Sequence, residues 1–391
     1  MSEPQAASAA QKPSMQDYEK TLSQSAAEVA SFDAGDRSLL YRMRSFLHHN
    51  PAAVPLIVLV LSLLIFGVTL GGKFFSAFSL TLILQQVAIT GIVAAAQTLV
   101  ILTAGIDLSV GAIMVLSSVV MGQFTFRYGL PAELAVLCGF ATGALCGFIN
   151  GFLVAYVRLP PFIVTLGMML ALLGGVMWWT GGAATGNPAD SFREIGRGGL
   201  RDVPLLDFIP WAVLLLIVWL ALGIVLTKRP LGKTLIAIGD NARAVDYAGA
   251  RRAWVTTRAF VISSLSATLS AVLLVGYAGV HPSVGRGYEF TAITAVVLGG
   301  VVLGGGRGWI VGAVAGAFTL EALFMLLNIA GVPSTLRDAV QGVIIIAAVA
   351  YAGVAFRARR RRGPQPTDVP TAGTENPQNR TTASSPTTRG D

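Results

Sequence analysis

The chain has 391 residues, of which 54% are hydrophobic and only 12% are charged. Soluble domains carry about 25% charged residues, so the composition excludes the two or three soluble domains that the length alone would suggest. The formal net charge of +8 lies in linkers and tails between apolar runs. It therefore indicates control of membrane topology rather than binding to nucleic acid.

The first segment, residues 1–36, is rich in alanine, serine, glutamine and acidic residues and has no periodic apolar pattern. We expect residues 1–50 to form a largely disordered cytoplasmic tail. We expect no secretory signal peptide, because the first apolar run begins near Pro51, behind this polar segment.

Residues 51–356 contain ten apolar runs and are predicted to form one transmembrane domain. The block 74–126 carries a single charge, Asp107. One helix of that length would measure about 80 Å against a hydrocarbon core of about 30 Å, so we predict two spans that turn near Thr103–Asp107. Pro160 and Pro161 are predicted to end the fourth span. The other predicted spans are 51–70, 134–157, 162–181, 208–227, 259–280, 290–306, 308–328 and 339–356.

The linkers between these spans predict the orientation of the chain. With a cytoplasmic N-terminus, a clear majority of the linker lysines and arginines fall on the cytoplasmic side, as the positive-inside rule requires. An even number of spans places the arginine-rich start of the tail 357–391 inside as well. The predicted fold class is therefore an all-α polytopic membrane protein of about ten helices with both termini cytoplasmic, and we expect 357–391 to be a disordered basic and polar tail.

Glycines recur every four residues in two places, which predicts close helix packing in lipid. One ladder lies in the fourth span, and the other surrounds the eighth and ninth. The ladders are Gly139, Gly143, Gly147 and Gly151, and Gly300, Gly304, Gly308, Gly312 and Gly316.

Sites for nucleotides and metals are not expected. The tripeptide Gly-Lys-Thr at 232–234 looks like the end of a P-loop, but Thr227 stands where that motif needs glycine, and an apolar helix replaces the required strand. The three histidines, His48, His49 and His281, have no ligand partner at metal spacing. We therefore expect no metal, no bound cofactor and no enzymatic activity in this chain.

Two acidic residues fall at or within predicted spans. Asp107 precedes Ser109 and is predicted to cap a helix N-terminus, although an acid inside a membrane is also a functional hypothesis by default. Glu321 lies within the ninth span. Its role can be structural, or it can take part in proton or substrate transport.

Uncharged polar residues within the spans have two possible roles. Amides and hydroxyls facing a pathway would replace the water lost by a crossing sugar. They could equally form hydrogen bonds between helices, worth about 0.6–2 kcal/mol each. The predicted pathway residues are Gln86, Gln97, Asn150 and Thr165, and Gln85 and Gln341 belong to the same class.

The charged loop 228–258 is predicted to contain a short helix. Asn241 is a plausible N-cap, residues 242–248 are mostly small, and Gly249 is a plausible terminator. Such a helix can dock into a groove of another protein. A solvated connecting helix is the alternative.

Several segments resemble the ribose/xylose-type sugar permeases of ABC importers, in order and from about residue 51 to 356. They are Gly-Ile-Asp-Leu-Ser-Val-Gly at 105–111, Asn-Gly at 150–151, Leu-Pro-Pro-Phe-Ile-Val-Thr-Leu-Gly at 159–167, the loop 236–249, Gly-Tyr-Glu at 287–289, Leu-Gly-Gly at 298–300 and Gly-Gly-Gly-Arg-Gly at 304–308. Two positions depart from the family: Thr291 stands where an acid is common, and Asp240 where glycine is common.

The resemblance implies a homodimeric permease with cytoplasmic ATPase subunits, which would bind ATP and magnesium, and a periplasmic or lipid-anchored sugar-binding protein. It implies that the loop couples to the ATPase through Gly239, Asn241, Ala242, Arg243, Ala244, Tyr247, Ala248 and Gly249. Structural roles are expected for Asp107, Pro160, Pro161, Gly304 and Gly308.

The function we expect is ATP-driven import of a monosaccharide, pentose-like, across the inner membrane. A permease of the same superfamily for branched-chain amino acids is the nearest alternative. An ion-coupled secondary transporter using Asp107 or Glu321, and a membrane scaffold without transport, are the remaining ones. The sequence does not identify the sugar.

Overall fold

The computed structural model describes residues 53–183, 190–203, 207–333, 336 and 338–346. Both predicted tails and positions 347–356 of the predicted tenth span lie outside these residues. The elements in chain order are α1 (Ala53–Leu70), a 3₁₀ turn (Gly71–Lys73), α2 (Ala77–Leu102), α3 (Val110–Phe126), α4 (Ala132–Ala155), α5 (Pro161–Thr180), α6 (Asp190–Arg197), β1 (Gly199–Val203), β2 (Asp207–Pro210), α7 (Trp211–Lys228), α8 (Pro230–Tyr247), α9 (Arg252–Ala278), α10 (Tyr288–Leu298) and α11 (Ile310–Ile329). Residues 338–346 are also helical.

Six of the helices in the described residues are long and apolar enough to cross a membrane: α2, α4, α5, α7, α9 and α11. Two shorter apolar helices, α3 and α10, accompany them. This agrees with the predicted polytopic all-α class. The predicted turn near Thr103–Asp107 is confirmed, because residues 103–109 separate α2 from α3.

The predicted eighth span, 290–306, is wrong in length. Helix α10 has 11 residues and is therefore about 16 Å long, roughly half of a hydrocarbon core of about 30 Å. It ends at Leu298 because Gly300 adopts a φ of +81° and begins a glycine-rich loop that lasts to residue 309. An uncharged run predicts burial in lipid but does not show where glycines interrupt the helix.

The glycine ladder of α4 packs as predicted. A methyl group on Gly143 would collide with the Thr268 hydroxyl, and one on Gly147 would lie 2.8 Å from the Phe260 carbonyl. Gly151 lies equally close to the backbone of Thr257, whose Cα would be 2.7 Å from such a methyl group. Three of the four glycines thus hold α4 against α9.

The second ladder is only partly correct. Gly312 and Gly316 lie on α11 and pack against α10, since a methyl group on Gly316 would lie 2.7 Å from the amide nitrogen of Gly299. Gly300, Gly304 and Gly308 lie in the loop 299–309 instead of on a helix. Their four-residue spacing therefore has no packing meaning there.

The polar segment between the predicted spans 162–181 and 208–227 contains secondary structure that was not predicted. Helix α6 packs against the end of α9, with Phe192 only 2% exposed and a methyl group on Gly276 placed 2.7 Å from the Gly196 Cα. Arg197 donates two hydrogen bonds, of 3.1 and 2.9 Å, to the Tyr277 carbonyl. The antiparallel pair β1–β2 follows and leads into α7.

Candidate functional site

A buried carboxylate organises the non-helical segment 103–109. Asp107 is completely buried. Its Oδ1 accepts hydrogen bonds from the Ser109 backbone N–H at 3.0 Å and from the Ser109 hydroxyl at 2.6 Å. Its Oδ2 accepts one from the Ser263 hydroxyl of α9 at 3.1 Å. The segment is therefore fixed both to itself and to α9.

Three further side chains bind the same segment from three other helices. Gln97 of α2 donates to the Asp107 carbonyl at 3.1 Å, and Asn150 of α4 donates to the Ser109 hydroxyl oxygen at 2.8 Å. Thr165 of α5 donates to the Ile106 carbonyl at 3.1 Å. We call these six residues, Gln97, Asp107, Ser109, Asn150, Thr165 and Ser263, the Asp107 cluster. It satisfies backbone groups that a break in a membrane helix would leave unpaired.

Three of the four predicted pathway residues thus meet in one place. Gln97 Oε1 and Asn150 Oδ1 remain buried without a hydrogen-bond partner among the described residues. Gln86 Oε1, on α2, is also buried and has no hydrogen-bond partner among the described residues. The amide N–H groups of Gln97 and Asn150 hold the segment, and the pathway role of all three amides stays a prediction.

The predicted capping role of Asp107 is wrong in its detail. The N-cap of α3 is Ser109, whose side chain makes no capping hydrogen bond. Asp107 lies two residues earlier, so its carboxylate reaches the N–H of Ser109 rather than a donor inside the first turn. Its contribution is to brace the N-cap residue.

The Asp107 carboxyl group meets neutral donors. An ion pair among the described residues joins Arg252 and Asp246 at 3.4 Å, far along the chain from this cluster. Buried polar groups are usually hydrogen-bonded, and both carboxyl oxygens of Asp107 are. Ser109 and Ser263 were not predicted, although two consecutive serines at 263–264 inside an apolar run are a visible signal.

A second region, in α8, has the geometry predicted for the loop 228–258. Helix α8 breaks at Asn241, where φ is −155° and ψ is 94°. The Asn241 side-chain oxygen accepts a hydrogen bond from the Ala244 N–H at 3.1 Å, as an N-cap does. The helix ends at Tyr247, and Gly249 takes a φ of +73°. The predicted short helix and both of its end signals are confirmed, and residues 242–247 are called the short helix below.

The short helix is anchored on one side and open on the other. Val245 is buried, whereas Arg243, Ala244 and Ala248 are exposed. Tyr247 is 91% exposed. An exposed aromatic side chain beside small residues is typical of a contact surface, so this face is available to a partner.

The residues of α8 just before the short helix contact the end of α2 through backbone atoms. A methyl group on Gly239 would collide with the Leu102 carbonyl and the Gly306 amide nitrogen. That nitrogen donates a hydrogen bond to the Leu102 carbonyl at 3.0 Å. The Asp240 carboxylate lies beside Gly306, where a methyl group would collide with it. Leu102 is followed directly by the segment that carries Asp107, so the two regions are contiguous.

The predicted structural glycines have unequal surroundings. Gly304 has open space, with Val302 Cγ1 3.9 Å from its Cβ position, whereas Gly308 adopts a φ of +158° against Val301. Gly305 and Gly306, with φ values of +82° and +71°, make further close contacts. The conformation of Gly308 agrees with the structural role expected for it, whereas Gly304 has no close neighbour, and Gly305 and Gly306 were not predicted because spacing does not reveal which glycines adopt positive φ.

The predicted break at the paired prolines is confirmed. Helix α4 ends at Ala155, and α5 begins with Pro161 in its first turn. Between them Arg158 adopts a φ of +65°. Because Pro161 fixes where α5 begins, it also fixes the position of Thr165 one turn later, below the segment 103–109.

Comparisons with known proteins agree with these features. Residues 79–349 match the family model described as the branched-chain amino acid transport system / permease component. The chain is 47% identical over 344 residues to the fructose import permease protein FrcC of Rhizobium meliloti, covering 86% of this chain and 94% of that protein. It is 36% identical over 314 residues to the ribose import permease protein RbsC of Escherichia coli (79% and 95% covered).

A further relative is the autoinducer 2 import system permease protein LsrC of Salmonella choleraesuis, 30% identical over 314 residues, covering 80% of this chain and 88% of that protein. No solved structure matches the chain. The family model spans most of the described helices, including the Asp107 cluster and the short helix. The chain therefore belongs to the family of permease components of the branched-chain amino acid transport systems, as a multi-pass membrane protein.

Proposed function

We propose that this chain is the membrane-spanning permease subunit of an ATP-driven importer that carries a monosaccharide across the inner membrane. The observation that carries the proposal is the 47% identity to a fructose import permease across 86% of the chain. A ribose import permease at 36% identity supports the same substrate class. Fructose and ribose are therefore the first substrates to test.

Branched-chain amino acids are the rival substrate class, since the description of the family model names them. The relatives quoted above carry the names of fructose, ribose and autoinducer 2 permeases. Competition experiments separate the two classes. Excess unlabelled leucine should leave uptake of labelled fructose unchanged, and inhibition by leucine would contradict the proposal.

The proposed assembly contains a cytoplasmic ATPase subunit, a periplasmic or lipid-anchored sugar-binding protein and a second copy of this chain. The proposed topology has ten spans and cytoplasmic termini, supported by the distribution of lysine and arginine among the linkers. In this orientation the short helix lies on the side where ATP is available. Its exposed face, with Ala244 and Tyr247, is the proposed ATPase contact.

The mechanism follows from the contiguity of the two regions. Closure of the ATPase subunits would displace the short helix. Because Gly239 is in close backbone contact with Leu102, a displacement of the short helix would also displace Leu102. The segment after Leu102 would then move as one piece, because five hydrogen-bonding side chains from α2, α4, α5, α9 and the segment itself hold it together.

Replacement of Ala244 by glutamate tests the coupling. The added charged side chain on the exposed face should prevent docking, so ATP-dependent fructose uptake should fall to background while the variant still reaches the membrane. Ala237→Glu is the matched control, because Ala237 is an exposed alanine of α8 that lies before the break at Asn241. Normal uptake by Ala244→Glu would contradict the proposed contact.

A further inference from the structure

Helix α10 is too short to cross a membrane, and each of its ends packs closely against a neighbouring helix. At its C-terminal end, a methyl group on Gly299 would lie 2.6 Å from the Ala313 amide nitrogen of α11. The loop that follows reaches Gly306, which is bound to Leu102 and lies against Gly239. The C-terminal end of α10 is therefore connected to the base of the short helix.

The N-terminal end of α10 is connected to α3 by a buried acid. Glu289 is 6% exposed, and its Oε2 accepts a hydrogen bond from the Gly287 N–H at 3.1 Å. The same oxygen occupies the space beside Gly111 that any side chain would fill. A methyl group on Gly111 would also lie 2.8 Å from the Gly285 carbonyl, so the whole turn before α10 lies on α3.

This carboxylate lies at the N-terminal ends of two helices. Glu289 is in the first turn of α10, and Gly111 is in the first turn of α3. Helix N-termini carry partial positive charge from unpaired N–H groups and attract an anion. An amide of the same shape would fill the space, but its NH2 group would bring donors to a place where the helix ends need an acceptor.

We infer that Glu289 is a positioning residue of the transport cycle, whose carboxyl group holds α10 to the first turn of α3, so that displacement of the short helix reaches α3 through α10. The inference rests on the proposed function, because it assumes that the short helix is displaced by an ATPase. Gly111 is two residues from Ser109, so the contact lies beside the Asp107 cluster. Movement would thus reach that segment from two directions, through Leu102 and through Glu289.

The first test is uptake of labelled fructose by the complete transporter in proteoliposomes. Glu289→Gln should lower the maximal rate about tenfold with KM unchanged, because the amide holds the two helix N-termini together less well than the carboxyl group does. Glu133→Gln is the matched control, because Glu133 is also an acid in the first turn of a helix but is exposed. An unchanged maximal rate, or a raised KM alone, would overturn the inference, the latter because it would indicate contact with substrate.

A second variant decides the matter if Glu289→Gln does not assemble. Gly111→Ala displaces the carboxylate without altering any charge, and it should lower the maximal rate in the same way. Gly167→Ala is its control, since nothing lies within 4 Å of a methyl group at that position. Equal rates for the two alanine variants would overturn the inference.

The final experiment separates this inference from the proposed substrate. Cys138 and Cys146 are replaced by serine, and His281→Cys, at an exposed position in the loop before α10, is labelled with a maleimide in the full complex. Trapping the ATPase with nucleotide should change the labelling rate, and Glu289→Gln should abolish the change. If nucleotide does not change the labelling rate of the protein in which Glu289 is unchanged, the inference is overturned. If nucleotide changes that labelling rate in a protein that transports neither fructose nor ribose, the inference is supported and the proposed substrates are wrong.

Discussion

Thr90 of α2 donates a hydrogen bond of 2.6 Å to the carboxylate of Glu321 on α11. The sequence left the role of Glu321 open, and this contact shows a structural part of it. The acid joins two helices that lie far apart in the chain. Thr90 itself is completely buried, whereas Glu321 is partly exposed.

Thr90→Val removes the donor while keeping the shape of the side chain. We expect a loss of about 0.6–2 kcal/mol in stability, the range for hydrogen bonds between membrane helices, seen as a lower midpoint of thermal unfolding in detergent. Thr98→Val is the control, because the Thr98 hydroxyl bonds only the Ala94 carbonyl of its own helix, at 2.8 Å. Equal midpoints for both variants would show that the contact with Glu321 contributes nothing.

Asp107→Ala should be among the most destabilising single substitutions in the chain. It would orphan the Ser109 N–H and two buried hydroxyl groups at once, and each unsatisfied buried group costs about 1–3 kcal/mol. Ser263→Ala removes one donor only and should cost less. Thermal unfolding of the purified variants gives the order, and a milder effect for Asp107→Ala than for Ser263→Ala would contradict the central position of the carboxylate.

The glycine ladder of α4 predicts a sharp contrast between glycines. Gly151→Ala forces a methyl group to within 2.7 Å of the Thr257 backbone, so α4 and α9 must separate, and overpacking of this kind costs about 1–3 kcal/mol. Gly174→Ala meets nothing within 4 Å and should be neutral or slightly stabilising, since alanine favours a helix by up to about 1 kcal/mol over glycine. Equal unfolding temperatures for the two variants would refute the packing.

Gly239→Ala tests the junction between the short helix and α2. The methyl group would separate Gly239 from Leu102 and Gly306, so we expect ATP hydrolysis by the assembled complex to continue while fructose uptake falls. Gly72→Ala, where nothing lies within 4 Å, should leave both activities unchanged. Wild-type coupling in Gly239→Ala would show that displacement takes another route.

Much of this fold follows from the sequence because lipid imposes simple requirements. Length and hydropathy predict α2, α4, α5 and α9, and the proline pair at 160–161 predicts where α5 begins. The cap at Asn241 and the terminator at Gly249 were predictable because each depends on neighbouring backbone groups alone. These features are local, and local chemistry can be read along the chain.

The remainder depends on contacts between distant residues. No pattern in one sequence shows that Asn150 and Ser263 bind the same segment as Asp107, or that Glu289 fills the space beside Gly111. The short length of α10 was missed because its glycine-rich continuation is as uncharged as a membrane span. The family motifs include Asp107, Asn150 and Glu289. The hydrogen bonds of these residues explain how they stabilise the fold.

The most direct measurement is uptake of labelled fructose, and then ribose, into proteoliposomes containing this chain with its ATPase subunit and binding protein. We predict accumulation that requires ATP on the side of the short helix, disappears when the ATPase is inactivated and persists when a protonophore dissipates the proton gradient. Uptake that continues without ATP and collapses with the proton gradient would contradict it.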